Sequence, residues 1–187
     1  MGSTVIFVSV SVDGYATGPH GDLTRLHRWL SADARADDDA AVDLTARFRS
    51  AGAIVFGRRT WDSGQEPWGD DDVFDSPVFV MTHEERPPEA KNGTVFTFVS
   101  GAPADALELA RAAAGDRDVV IMGSPDVAGQ FLRDGLVDEL LLHLVPVLLG
   151  GGTRLFGELP SASELELRSW VPGDEVSALG YAVVPRA

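Results

Sequence analysis

The sequence predicts an α/β fold, with a mostly parallel central sheet flanked by helices and finished by an antiparallel C-terminal edge. Two patterns predict it. Short β-branched runs alternate with helical segments through the middle of the chain, the signature of parallel strands joined by right-handed crossovers. The tail then changes character: residues 140–149, 165–171 and 178–184 are β-rich with no long helix between them, which suits antiparallel neighbours. Size agrees, because 187 residues, 44% of them hydrophobic, suit one domain over 1–187 with a single core.

Residues 5–12 are rich in valine and end at Asp13-Gly14, so they predict a strand running into a turn, followed by a glycine-rich loop over 15–22. Leu23, Leu26, Trp29 and Leu30 recur at helical spacing and predict a first helix; Val42, Leu44, Ala46 and Phe48 predict a second. The Asp37-Asp38-Asp39 run between them reads as a solvated helix start. A strand at 53–56 precedes a polar, acidic stretch to Ser76 that contains Pro67 and Gly69 and predicts a surface loop. Residues 77–82, 94–99 and 118–122 read as strands, 104–114 as an alanine-rich helix, and 126–133 as a short helix ended by Gly135.

A formal net charge of −14 excludes generic binding to nucleic acid or to anionic membranes, both of which need a broad basic field. The absence of cysteine excludes disulfides, thiol nucleophiles and thiolate zinc sites. His20, His27, His83 and His143 show no metal spacing, and neither H-E-x-x-H nor G-x-S-x-G occurs, so no metal is expected. The N-terminus has no basic n-region and its apolar run is too short to span a membrane, so a cytoplasmic protein is expected and Asn92-Gly93-Thr94 is discounted as a glycosylation site.

Ligands of open α/β sheets sit beyond the carboxyl ends of the strands, which directs attention to the loops there. The run I-V-F-G-R-R-T-W at 54–61 ends a strand at Gly57, where the backbone can turn tightly and approach a ligand; Thr60 can cap the next helix, and Arg58 and Arg59 offer bidentate forks for an anion. The competing reading is a solvated arginine pair. Gly123-Ser124-Pro125-Asp126 repeats the glycine-plus-hydroxyl pattern after the 118–122 strand, and two such junctions suit two phosphate groups. Thr82-His83 and the 13–22 loop come after other strands. Gly150-Gly151-Gly152 is either a flexible turn or a ligand contact. G-x-G-x-x-G after a strand and the P-loop pattern are both absent. Asp13, Asp22 and Asp43 are the carboxylates best placed as proton donors near the first strands.

Taken together, Ser11 with Asp13-Gly14, G-R-R-T-W at 57–61, M-G-S-P-D-V-A-G-Q-F-L at 122–132, and G-L-V-D-E-L followed by V-P-V-L-L-G-G-G-T-R-L-F within 135–156 resemble the dihydrofolate-reductase-like family. The resemblance is nearest to the branch containing the reductase domain of the bifunctional riboflavin-biosynthesis deaminase-reductase. It implies a mostly parallel sheet with one antiparallel strand, binding NADPH across its carboxyl edge. By position, it implies that Gly57, Arg58, Arg59 and Thr60 hold cofactor phosphates, with Arg58 nearest the adenosine 2′-phosphate. Thr82 and His83 would line the adenosine side, and Gly123, Ser124, Pro125, Asp126 and Val127 the pyrophosphate and nicotinamide side. The loop from Gly18 to Leu23 would cover the nicotinamide. Ser124-Pro125 stands where the family usually has glycines, and proline lacks an N–H for a phosphate.

The expectation is therefore an NADPH-dependent reductase that transfers hydride to a small heterocyclic or carbonyl-type substrate, with Asp43 or Asp22 as candidate proton donors. A nucleotide-binding module without turnover, or a riboflavin-pathway pyrimidine reductase, are the alternatives. A homodimer is expected from the resemblance, with the apolar 140–149 run as a candidate interface.

Overall fold

The computed structural model describes residues 2–31, 33, 38–65, 74–159 and 161–185. Its centre is a nine-stranded sheet built around β1 (Thr4–Ser11), whose side chains are buried on both faces. β1 pairs in parallel with β7 (Val119–Met122) on one side and β8 (Glu139–Val145) on the other. Beyond β7 lie β3 (Ala53–Gly57), β4 (Val78–Met81) and β6 (Thr94–Val99), all parallel, and β5 (Glu89–Lys91) closes that edge antiparallel to β6. Beyond β8 lie β11 (Ser177–Val183) and β10 (Leu165–Val171), which pair antiparallel. The predicted fold class holds. The single antiparallel strand does not: antiparallel pairing occurs at both edges, because the tight turn at Asn92-Gly93 reverses the chain between β5 and β6, with positive φ at both residues.

Among the described residues, four α-helices cover the faces. Asp38 caps α1 (Asp39–Arg49) by accepting a hydrogen bond from the Ala41 N–H at 3.0 Å, so part of the acidic run is a cap; Asp37 lies outside the described residues. α1 buries Ala40, Ala41 and Leu44 with Phe7, Trp29, Phe56 and Leu141 in one core layer. On the opposite face, α3 (Pro103–Ala114) and α4 (Pro125–Arg133) bury Ala106, Leu107, Ala110, Ala128 and Phe131 with Ile6, Val8, Val55 and Ile121. Both begin with proline, whose missing N–H costs nothing in a first turn. α2 (Arg58–Gly64) comes directly after β3. The loop expected up to Ser76 falls largely on 66–73, outside the described residues.

The helix predicted from Leu23 to Leu30 is corrected. After a single helical bond from the His27 N–H to the Leu23 carbonyl, the chain tightens into a 3-10 turn at Arg28–Leu30, enough to bury Leu26 and Trp29. The 140–149 run also divides. β8 stops at Val145, and from there to Leu149 the chain is a loop beside a small second sheet of β2 (Tyr15–Thr17) and β9 (Thr153–Arg154).

Candidate active site

Parallel strands carry their carboxyl ends to one edge of the sheet, so Gly57, Thr82 and Gly123 emerge there from β3, β4 and β7, which are neighbours in the order β7-β3-β4. Ser124 joins two of these ends. Its Oγ accepts a hydrogen bond from the Gly57 N–H at 3.1 Å and shares another with Thr60 Oγ1 at 2.8 Å. The glycines make the approach possible: a Cβ on Gly57 would lie 2.7 Å from Ser124 Oγ and 3.0 Å from Val127 Cγ2, and Gly123 has φ +60 with Thr60 Oγ1 3.0 Å from where its Cβ would be. Thr60 therefore does not cap α2, as expected from sequence. Gly57 occupies the cap position and Thr60 sits in the first turn, reaching across to the α4 junction.

The arginines diverge. Arg58 is about two-thirds covered; its Nε donates to Asp62 at 2.8 Å and an Nη to Glu84 at 3.1 Å, and these partners raise its pKa, the Asp62 hydrogen bond foremost. Arg59, 90% exposed, reaches Asp126 in the first turn of α4 at 3.3 Å. Thr82 is buried at the end of β4, where its N–H donates to the Val99 carbonyl and its hydroxyl accepts from the Glu84 N–H at 3.1 Å; His83 is exposed beside it. The structure thus gathers Gly57, Arg58, Arg59, Thr60, Gly123, Ser124, Pro125, Asp126 and Val127 into one cluster, with Thr82 and His83 at its β4 side.

A second group lies where β1 and β8 end. Ser11 Oγ donates to Asp13 Oδ1 at 2.6 Å, and the carboxylate also accepts the N–H groups of Leu149 at 3.1 Å and Gly150 at 2.7 Å. The Ser11 hydroxyl first, then the Gly150 amide, hold the Asp13 pKa down at about 2, so it is an ionised clasp on the glycine cluster. Gly152, at φ +123, lies so close to the Thr17 carbonyl and Gly18 that a Cβ has no room. Two of the three glycines are thus tied into the fold, Gly150 by its N–H and Gly152 by close packing. Gly18 donates to the Asp22 carbonyl at 2.7 Å, closing the loop that ends at half-buried Leu23, and the Asp22 carboxylate is pulled below its ordinary pKa by hydrogen bonds from Thr24. Asp43 is apart from both groups, half-buried on α1, the helix that packs against β10 and β11.

Sequence reasoning passes over a third group. His143 is 2% exposed on β8, in register with Ser9 of β1. Ser9 Oγ lies 3.2 Å from His143 Nδ1 and accepts from Trp29 Nε1 at 3.1 Å, and the rings of Phe7 and Trp29 pack edge-on against the imidazole. Burial first, and the charge of His27 second, push its pKa down to about 3, while Nε2 has no partner among the described residues. The available signal is polar Ser9 and His143 inside otherwise apolar strands.

A family model, that of the RibD C-terminal domain, matches residues 3–178. The chain belongs to the RibD C-terminal domain family. The riboflavin biosynthesis protein RibD of Mycobacterium tuberculosis is 29% identical over 152 residues, covering 76% of this chain and 42% of that protein, so the chain spans under half of that relative. The structure of a candidate riboflavin biosynthesis protein from Shewanella sp. PV-4 matches with a TM-score of 0.80 and 26% identity over 97% of this chain and 99% of that one. Dihydrofolate reductase from Enterococcus faecalis, complexed with NADP(H) and RAB-propyl, matches with a TM-score of 0.64 and 14% identity over 97% and 96% of the two chains. The RibD C-terminal domain here has the dihydrofolate-reductase-like fold, as the sequence motifs imply. Among the described residues no helix is long and apolar enough to cross a membrane, and no group of His, Asp and Glu is spaced to hold a metal ion.

Proposed function

We propose that this chain is an NADPH-dependent reductase that delivers hydride to a small heterocycle, with pyrimidines of the riboflavin-biosynthesis type as the first substrate class to test. The observation that carries the reading is the Ser124 bridge between Gly57 and Thr60: two adjacent strand ends, each with a glycine and a hydroxyl, brought close enough to receive neighbouring phosphates. The residues fit a dinucleotide. Gly57 and Gly123 let Ser124 and Thr60 pack directly against the strand ends, the first-turn N–H groups of α4 after Pro125 have no partner within the helix, and Arg58 and Arg59 supply cationic forks. Gly57, Arg58, Arg59, Thr60, Thr82 and Gly123 to Val127 would hold the cofactor, which supplies the hydride when bound.

The protein's own tasks are orientation, exclusion of water and provision of a proton. The Gly18–Leu23 loop, braced by the Asp13 clasp and by Gly152, closes the β1 side. Of the two acids expected as donors, Asp22 is the nearer, on the loop closed by the Gly18 bond to its own carbonyl; Asp43, on α1 away from both groups, is the alternative that a variant tests. Thermal denaturation with millimolar NADPH tests the reading, because a ligand bound to the folded state raises the melting temperature by mass action. An unmoved melting point refutes it. Binding without oxidation of NADPH across pterins, pyrimidines and carbonyl compounds favours a binding module, a reading supported by Pro125, which offers no N–H at the start of α4.

The chain is further proposed to work as a homodimer, through a face different from the one expected. Leu140 and Leu141 are core residues and the 140–149 run exposes only Leu148 among its large hydrophobic residues, at 72%, whereas Leu165, Leu167 and Trp170 of β10 are together 41%, 55% and 64% exposed. They are in register with Val183, Tyr181 and Leu179, on the face where α3 and α4 lie over β3, β4 and β7. Arg168 and Glu166 satisfy each other at 2.7 Å, which neutralises this strand's charges and suits a second copy of so acidic a chain.

A further inference from the structure

Both arginines of the cofactor cluster face carboxylates. Arg58 holds Asp62 and Glu84, and Arg59 holds Asp126, so two cations meet three anions on a chain whose net charge is already −14. Asp62 is a helical neighbour one turn away from Arg58 and travels with it. Glu84 is different, because it comes from another strand end and is fixed there: its N–H is tied to Thr82 Oγ1, and Thr82 is anchored in turn to the Val99 carbonyl of β6.

A ribose 2′-phosphate carries roughly −1.5 to −2 charges at neutral pH and seeks a guanidinium fork. A ribose 2′-hydroxyl is a donor that an acidic side chain accepts. Glu84 opposes the first and suits the second. We propose that Glu84 sets the choice between phosphorylated and unphosphorylated dinucleotide, by occupying the Arg58 fork that the 2′-phosphate requires. The inference rests on the dinucleotide reading above. Its consequence is that the preference for NADPH over NADH is smaller than the free Arg58 fork would give. The Glu84 side chain is 72% exposed, so its hold on Arg58 is exchangeable and the preference is tunable by one residue.

The test is calorimetric titration of NADPH and NADH into the wild-type chain, Glu84→Gln and Glu85→Gln. The last removes the same charge from the neighbouring exposed position. The expected result is that Glu84→Gln shifts the NADPH-to-NADH affinity ratio toward NADPH by roughly fivefold, the scale of one solvent-screened charge pair, while Glu85→Gln leaves the ratio at its wild-type value. If both dinucleotides bind and the Glu84→Gln ratio stays at the wild-type value, or if Glu85→Gln moves it equally, the dinucleotide reading stands and the Glu84 assignment is overturned. If neither dinucleotide binds any of the folded proteins, the parent reading fails and takes this one with it.

Discussion

The Gly57 N–H donates to Ser124 Oγ across 3.1 Å, joining the end of β3 to the start of α4 although 67 residues separate them. The contact leaves no space for a methyl group. Gly57→Ala is expected to cost about 1–3 kcal/mol in urea denaturation by overpacking against Ser124 and Val127, and to abolish the thermal shift by NADPH. Ser124→Ala is expected to cost about 1 kcal/mol, because it removes the acceptor of a part-buried amide without adding bulk. A smaller loss for Gly57→Ala than for Ser124→Ala would show that the close approach is not what matters.

His143 makes stability depend on acid. Its pKa is near 3 when folded and 6.5 when exposed, so the unfolded chain binds the extra proton between these values. Stability is fully present above pH 6.5 and falls as the pH drops toward 3, by up to about 1.4 kcal/mol per pH unit. Chemical denaturation at pH 6.5, 5.5 and 4.5 should show this slope, and His143→Phe should flatten it. The Asp13 clasp, with a pKa near 2 against 3.8, keeps its contribution above pH 3.8 and loses it as the pH falls toward 2, below the three pH values measured.

The glycine turn can be tested through its two fastenings. Gly152→Ala forces a methyl group against the Thr17 carbonyl at positive φ, and is expected to destabilise more than Asp13→Asn, which retains hydrogen-bonding atoms but loses the charge. Amide exchange at Leu149 and Gly150 should quicken in both variants. Protection unchanged in Asp13→Asn would remove the clasp from the account.

Leu167→Glu or Trp170→Glu places a charge on the bare face of β10 and should convert a dimer to a monomer in light scattering, with the far-ultraviolet spectrum retained. A wild-type chain that is monomeric at micromolar concentration rules out the homodimer.

If Asp43 supplies the proton, Asp43→Asn should lower the turnover number by about a hundredfold or more, with the NADPH dissociation constant unchanged. An undiminished rate would transfer the role to water.

The architecture is legible in the sequence because period and composition act locally: β1 is a run of β-branched residues, and 165–171 coincides with β10. The strand-end glycines are legible for the same reason. The features that escape are long-range. Nothing near Thr60 tells that its hydroxyl will reach Ser124 rather than cap α2, and nothing near Arg58 tells that Glu84 will meet it. Leu23 to Leu30 keep helical spacing but not helical geometry, because burying Leu26 and Trp29 needs only one turn and a tightened end. In the sequence His143 is only one of four histidines without metal spacing, since its burial depends on Phe7 and Trp29 from distant segments.

The central position of β1 also governs how the molecule must assemble. Its backbone partners come from β7 and β8, so Thr4 waits for Val119 and Val5 for Glu139, 115 and 134 residues later. During synthesis, eight residues destined for complete burial emerge long before either neighbouring strand exists. Such a topology has high contact order and slow closure, and it leaves an adhesive segment unpaired on the ribosome. A refolding yield that falls with protein concentration is the expected consequence of the place of one strand in the sheet.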